Sequence, residues 1–201
     1  MQIETPFSIP IVKSFLGNEE IQRELFILCL DQQKISKGVI KSNQGGWQSD
    51  EMNCDNEVIN KFWHLCIPHL QSFLDLYEFA FNYDLVLDAA WINVNYKYSY
   101  NSCHIHPGSH FSSVYYIQAP IDSGHIRIRN PNTGLTTNAL YYKPKSEFND
   151  FNTPAYSVVP EDRKLITFPS YLWHEVLPNL NDEKRVSLAF NWSIEQKGND
   201  S

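Results

Sequence analysis

Two periodicities divide this chain. In "GNEEIQRELFILCL", Ile21, Leu25, Leu28 and Cys29 fall at helical spacing and form one apolar stripe. Asn18 is the expected N-cap, and Glu19 and Glu20 suit the positive end of the helix dipole. A second helical run, "EVINKFWHLCIPHLQSFLDLYEFAF", follows Asp55 and Asn56, either of which can cap it. Its apolar face comprises Val58, Phe62, Leu65, Cys66, Leu70, Phe73, Leu74 and Tyr77. Pro68 lies inside this run and is expected to kink or split it. Between the two helices, "KGVIKSNQGGWQSD" is turn-rich and predicts a surface loop.

From Leu85 the period falls to two. In "LDAAWINVNY", Ala90, Ile92 and Val94 alternate with Trp91, Asn93 and Asn95. Further strands are expected over 112–118, 125–130, 155–159, 164–168, 173–177 and 186–194, separated by turn signals such as "NPNTG" and "PNLND". Short strands at this spacing predict a sandwich or barrel. The expected organisation is a single domain over 1–201, with a helical part at 1–84 and a β core at 85–195. The stretch from Gly134 to Pro154 reads as a loop anchored by Tyr141, Tyr142 and Phe151, and loops on rigid β scaffolds carry specificity.

Composition narrows the classes. At 201 residues, with 42% hydrophobic and 14% aromatic residues, the chain can bury a sizeable core and is not globally disordered. A net charge of −7 and a pI near 5.4 argue against nucleic acid as the main ligand. Cys29, Cys54, Cys66 and Cys103 form no CxxC pair, and Cys29 and Cys66 fall in apolar helical stretches. No secretory signal and no apolar run near the roughly 20 residues of a membrane span are visible. A reducing, cytoplasmic setting without structural disulfides is expected. Oligomeric state is not legible.

The candidate chemistry begins in "NSCHIHPGSH". On a strand, residues two apart share a face, so His104 and His106 can reach one ion if the strand continues through Ile105. An HxH pair alone fits a surface pair equally well. Downstream, "LITFPSYLWHEVLPNLNDEKRVSLAFNW" supplies His174, then Arg185 eleven residues later. Residues 173–177 and 186 onward read as antiparallel neighbours, a hairpin that would bring Arg185 near His174. The guanidinium fits a carboxylate bidentately, and Ser187 shares its face. The competing reading of Arg185 is a surface ion pair with Asp182 or Glu183. Asn93, Asn95 and Tyr115 are candidates for further ligand contacts, although either Tyr115 or Tyr116 could be the core residue of that pair. His110 reads as a surface loop residue, His125 is open, and His64 and His69 belong to the helical half. Three ligands on one face of a metal, with open positions opposite, suit a non-haem Fe(II) oxygenase.

These residues resemble the 2-oxoglutarate- and Fe(II)-dependent oxygenases of the double-stranded β-helix (jelly-roll, cupin-like) fold, and within them a group of bacterial and phage oxygenases. The resemblance rests on H-x-H-P-G-S, Y-Y-I with a downstream S-G, F-P-S, His174 and R-x-S, from about Leu87 to Trp192. It implies a mainly β fold with N-terminal helices. His104 matches the first metal ligand and His174 the distal histidine. Arg185 and Ser187 match the pair that binds the far carboxylate of the 2-oxoglutarate co-substrate. His106 stands where the superfamily usually has Asp or Glu, so the third metal ligand is either this imidazole or a group other than the protein. Ser113 replaces a usual glycine. The implied activity uses O₂ and oxidatively decarboxylates 2-oxoglutarate to succinate and CO₂ while a substrate is hydroxylated. Peptidyl residues, nucleobases and small metabolites all fit as substrate. Two other classes stay open: a cupin-like metal- or small-molecule-binding protein without oxygenase activity, and a degenerate member acting as an interaction module.

Overall fold

A computed structural model of the chain describes residues 2, 8–17, 19–132, 147, 149 and 152–197. The expected Asn18 cap, Tyr141, Tyr142, Phe151 and most of the 134–154 loop lie outside them. In chain order the elements are β1 (Val12–Phe15), α1 (Glu19–Ile35), β2 (Asn43–Gln44), β3 (Trp47–Gln48), α2 (Glu57–Leu74), a 3₁₀ turn (Asp75–Tyr77) and β4 (Tyr83–Asn95). There follow β5 (Tyr100–His104), β6 (Phe111–Gln118), β7 (Ile126–Arg129), β8 (Ala155–Val158), β9 (Lys164–Pro169), β10 (His174–Val176) and β11 (Arg185–Gln196). They build a six-stranded sheet in the order β1-β9-β6-β11-β4-β3 and a five-stranded sheet in the order β2-β5-β10-β7-β8. The described pairs are antiparallel, and successive strands often alternate between sheets, the jelly-roll pattern.

Alternation along β4 and β11 sets two layers of packing. Ile92, Val94, Leu188, Phe190 and Trp192 face the helices, where they meet Leu25, Cys29, Phe62, Cys66 and Phe73. The opposite face of the sheet looks toward the second sheet. There, Tyr116, Ile126, Ile128, Val158, Ile166, Phe168 and Leu172 form a separate apolar cluster. Asn56 caps α2, its side chain accepting from the Val58 and Ile59 amides at 3.1 Å each. Pro68 does not split that helix, which runs continuously through it. Both Pro68 and His64 are exposed, so solvent can take the carbonyl that the proline leaves unpaired, while buried residues on either side fasten the helix to the sheet. No helix among the described residues is long and apolar enough to cross a membrane.

The 37–50 segment departs from the expected surface loop. It supplies β2 to one sheet and β3 to the other, and buries Asn43, Gln48 and Ser49. Polar residues mask this role in the sequence, because the Asn43 and Ser49 side chains are tied to backbone. The Ser49 hydroxyl accepts from the Ile92 amide at 3.0 Å. The Asn43 amide donates to the Val39 carbonyl at 3.1 Å.

Candidate active site

His104 ends β5 and His174 begins β10, and the two are direct partners across that pair of strands. Their side chains therefore emerge together on the inner face of the five-stranded sheet. The strand does not continue through Ile105 as expected. β5 stops at His104, and His106 lies beyond it, its amide donating to the Ser170 carbonyl at 3.1 Å. Pro107 and the Gly108 turn bend the chain away, yet the third ring still reaches the other two. Ring centroids are 4.3 Å apart for His104–His174, 4.9 Å for His104–His106 and 5.1 Å for His106–His174. One potential ligand atom from each lies within 4.8 Å of the others.

Backbone contacts fix two of the tautomers. His104 Nδ1 lies 2.6 Å from the Ser102 carbonyl and His174 Nδ1 lies 2.9 Å from the Leu172 carbonyl. A carbonyl only accepts, so each Nδ1 carries the proton and each Nε2 keeps its lone pair for an ion. Burial lowers the pKa of all three rings. His106 falls to about 4 and His174 to about 3, with the neighbouring His104 adding to both, and burial also lowers His104. The imidazoles are thus neutral near pH 7, the form a metal needs.

Arg185 and Ser187 project from β11 on the side shared with Asn95 and Asn93, their direct partners on β4. Arg185 is only 1% exposed. Its Nη1 donates to the carbonyls of Ser123 at 2.6 Å and Gly124 at 2.7 Å. No carboxylate lies within ion-pair distance of it among the described residues, which removes the surface-pair reading. Asp182 pairs instead with Lys97 at 2.6 Å. Burial pushes the Arg185 pKa down to about 10, and the nearby Tyr116 opposes this. The expected β10–β11 hairpin is absent. β10 lies in the five-stranded sheet and β11 in the six-stranded sheet, so Arg185 faces the histidines across the space between them. The turn-rich 177–184 link, anchored by Leu180 N–H to the Asp122 carbonyl at 2.9 Å, spans the two sheets.

A cavity between the sheets joins these groups, touching His104, His106, His174, Arg185, Ser187 and Asn93. Tyr116, not Tyr115, belongs to it. Tyr116 pairs with Ser187, whereas Tyr115 pairs with Leu188, turns to the helices, packs tilted against Phe62 with ring centroids 4.8 Å apart and donates to the Leu16 carbonyl at 3.3 Å. The register with R-x-S carries the distinction, and the tyrosine pair alone does not. Among the described residues, Asn93 Oδ1, Asn95 Oδ1 and Ser123 Oγ are buried without a protein partner, and of these Asn93 lines the cavity. His110 stays outside, its Nδ1 accepting from the Ile194 amide at 3.1 Å. His125 does not touch the cavity; its backbone carbonyl accepts from the Leu177 amide. Sequence reasoning missed Tyr116, Asn191, Ser42 and Gln48. The last three, with His104 and His106, border an outer cleft of about 590 Å³.

A jelly roll with three neutral imidazoles between its sheets, and in the same chamber a guanidinium without a carboxylate partner among the described residues, fits the class of non-haem metal oxygenases. The chain belongs to the family described as "Putative 2OG-Fe(II) oxygenase", which matches residues 89–191. It is therefore an oxidoreductase whose cofactor and co-substrate are Fe(II) and 2-oxoglutarate. No curated protein matches the chain by sequence. Among solved structures, a Pseudomonas putida prolyl-4-hydroxylase is similar at 14% identity and TM-score 0.63, covering 95% of each chain. HygX from Streptomyces hygroscopicus, solved with nickel and 2-oxoglutarate, is 11% identical at TM-score 0.61, covering 92% of this chain and 82% of that one. A Trichoplax adhaerens prolyl hydroxylase, solved with a hypoxia inducible factor peptide, is 16% identical at TM-score 0.59, with coverages of 92% and 83%. At these identities the likeness is one of fold.

Proposed function

We propose that the chain is a dioxygenase that hydroxylates its substrate and releases succinate and CO₂, with His104, His106 and His174 as metal ligands. The observation that carries this reading is Arg185, a buried cation without an acid partner among the described residues, in the same cavity as three neutral histidines. A buried charge is retained when something pairs with it, and a dicarboxylate that also reaches a metal fits both ends of the cavity. Imidazole suits Fe(II), so the donor set fits the group. Bound together, Fe(II) and 2-oxoglutarate would supply the O₂-dependent decarboxylation and the oxidation of a substrate C–H bond.

The protein's own residues bind, orient and exclude water. Arg185 and Ser187 hold the far carboxylate, with Asn93 and the Tyr116 hydroxyl beside them. The Ser102 and Leu172 carbonyls keep two ligands in the binding tautomer. Phe168 lies 4.9 Å from His174 and Trp91 5.3 Å from His106, so aromatic walls flank the centre and keep water from it. Peptidyl and small-molecule substrates both fit the reading, and a prolyl hydroxylase solved with a peptide shares the fold.

Anaerobic titration with Fe(II) and 2-oxoglutarate tests the reading. Wild type should develop a metal-to-ligand charge-transfer band, which His174→Ala and Arg185→Met should lose. Three imidazoles also suit zinc. A protein that takes up zinc, shows no such band and forms no succinate would be a metal-binding module instead.

A further inference from the structure

We infer that Gln48 orients the substrate, and that the outer cleft takes a neutral ligand presenting a carboxamide edge, an N–H beside a C=O. The inference builds on the oxygenase reading only in assigning the outer cleft to substrate. Gln48 borders this cleft together with His104 and His106. The residue is 6% exposed, and its side-chain amide is not one of the buried groups left unpartnered but opens to the cleft. A ligand entering the cleft strips solvent from that amide and must replace its hydrogen bonds.

The residue is also rigidly presented. Its carbonyl accepts from the Val39 amide at 2.9 Å, and it pairs with Asn93 on β4. Gly38 makes this approach possible: its φ is +76°, and a Cβ there would lie 2.5 Å from the Gln48 carbonyl oxygen. Trp91 lies on the same strand face as Asn93 and forms a flat apolar wall beside His106. Asn191 has its Oδ1 engaged by the Ser112 hydroxyl at 2.8 Å, leaving its NH₂ as a second donor. Lys41 and Glu51, both exposed, border the cleft with opposite charges and form no ion pair with each other.

These features select a chemistry. The amide of Gln48 offers one acceptor and paired donors. A carboxylate could use only the donors and an ammonium only the acceptor, whereas a carboxamide edge uses both. Opposite charges at the cleft favour a ligand without net charge. Two sources carry such an edge: a ring amide, and one residue of an extended peptide.

The test uses the full chain loaded with redox-inert Zn²⁺ and 2-oxoglutarate. The probes are 2-pyrrolidinone as ring amide, N-acetylglycine methylamide as open-chain amide, and N-methyl-2-pyrrolidinone, which lacks the N–H. The Gln48 side-chain NH₂ resonance, assigned by its loss in Gln48→Leu, is followed by NMR. At least one amide probe should shift it saturably, and which one binds identifies the source. The N-methyl probe should bind about tenfold more weakly, and Gln48→Leu should erase that discrimination. If Gln48→Leu does not fold, Gln48→Met, which likewise lacks the acceptor oxygen, should erase it as well. Equal binding of methylated and unmethylated probes to wild type, or discrimination that survives either substitution, overturns the inference. So does failure of both amide probes to shift the resonance. The affinity for 2-oxoglutarate, read in the same samples, reports on the oxygenase reading alone. Gln48-dependent probe binding without 2-oxoglutarate binding would sink that reading and keep this one.

Discussion

Arg185→Met should scarcely destabilise the ligand-free protein while abolishing its response to 2-oxoglutarate. Burial lowers the folded-state pKa of Arg185 from the ordinary arginine value to about 10. Each unit corresponds to about 1.4 kcal/mol, so the charged form is disfavoured by roughly 3 kcal/mol relative to the unfolded chain. The sign follows from proton binding: as pH falls from the ordinary arginine value toward 10 the unfolded chain takes up a proton that the folded one does not. Below about 10 the penalty is complete, so it is present in full at pH 7. Methionine removes that penalty but leaves the Ser123 and Gly124 carbonyls without their donor, which costs about 1–3 kcal/mol each. The two effects nearly cancel. In a paired buried bridge, by contrast, losing one partner costs about 3–5 kcal/mol. The assay is urea unfolding of both proteins with Zn²⁺, with and without 2-oxoglutarate. At a hundredfold excess over Kd, wild type should gain about 2.7 kcal/mol from the ligand, and the variant almost nothing. A variant that loses 4 kcal/mol or more without ligand, yet is stabilised by 2-oxoglutarate like wild type, would refute the reasoning.

Three further outcomes follow from the structure. Metal-free protein should lose stability as pH falls below 6.5, because His106 and His174 resist protonation until about pH 4 and 3 while the unfolded chain does not. Urea midpoints at pH 7 and pH 5 check this, with a slope of up to about 1.4 kcal/mol per pH unit for each histidine. Gly124→Ala should lower both the melting temperature and 2-oxoglutarate affinity by calorimetry: its φ is +90°, a Cβ would sit 2.1 Å from the Leu177 carbonyl oxygen, and its own carbonyl holds Arg185. Tyr116→Phe should weaken 2-oxoglutarate binding by isothermal titration several-fold, about 1 kcal/mol, whereas Tyr115→Phe should leave it unchanged, since the two hydroxyls lie on opposite sides of β6.

Where one face of a strand is apolar and the other polar, the sequence was readable. Ala90, Ile92 and Val94 went to the core, and Trp91 and Asn93 to the cavity. Pairing was less legible. His174 and Arg185 are close in sequence and look like one hairpin, yet they stand in different sheets, because a jelly roll sends successive strands to opposite layers. Tyr115 and Tyr116 are chemically alike, so only their register against Leu188 and Ser187 separates them. β1 went unread because Val12–Phe15 is a four-residue edge strand with half-exposed alternation. The 37–50 segment misled for another reason: its buried Asn43 and Ser49 are satisfied by backbone hydrogen bonds that composition does not reveal.

The place where β5 ends has a consequence for how this centre can be retuned. His104 and His174 are stitched into the ladder, so altering their spacing would shift whole strands. His106 lies two residues past the last rung, on chain that has already left the sheet. Its identity is therefore independent of the pleat. With His106 as the proposed ligand, replacing this imidazole by a carboxylate would change the charge at the metal without moving a strand, which makes position 106 an adjustable screw on an otherwise welded frame.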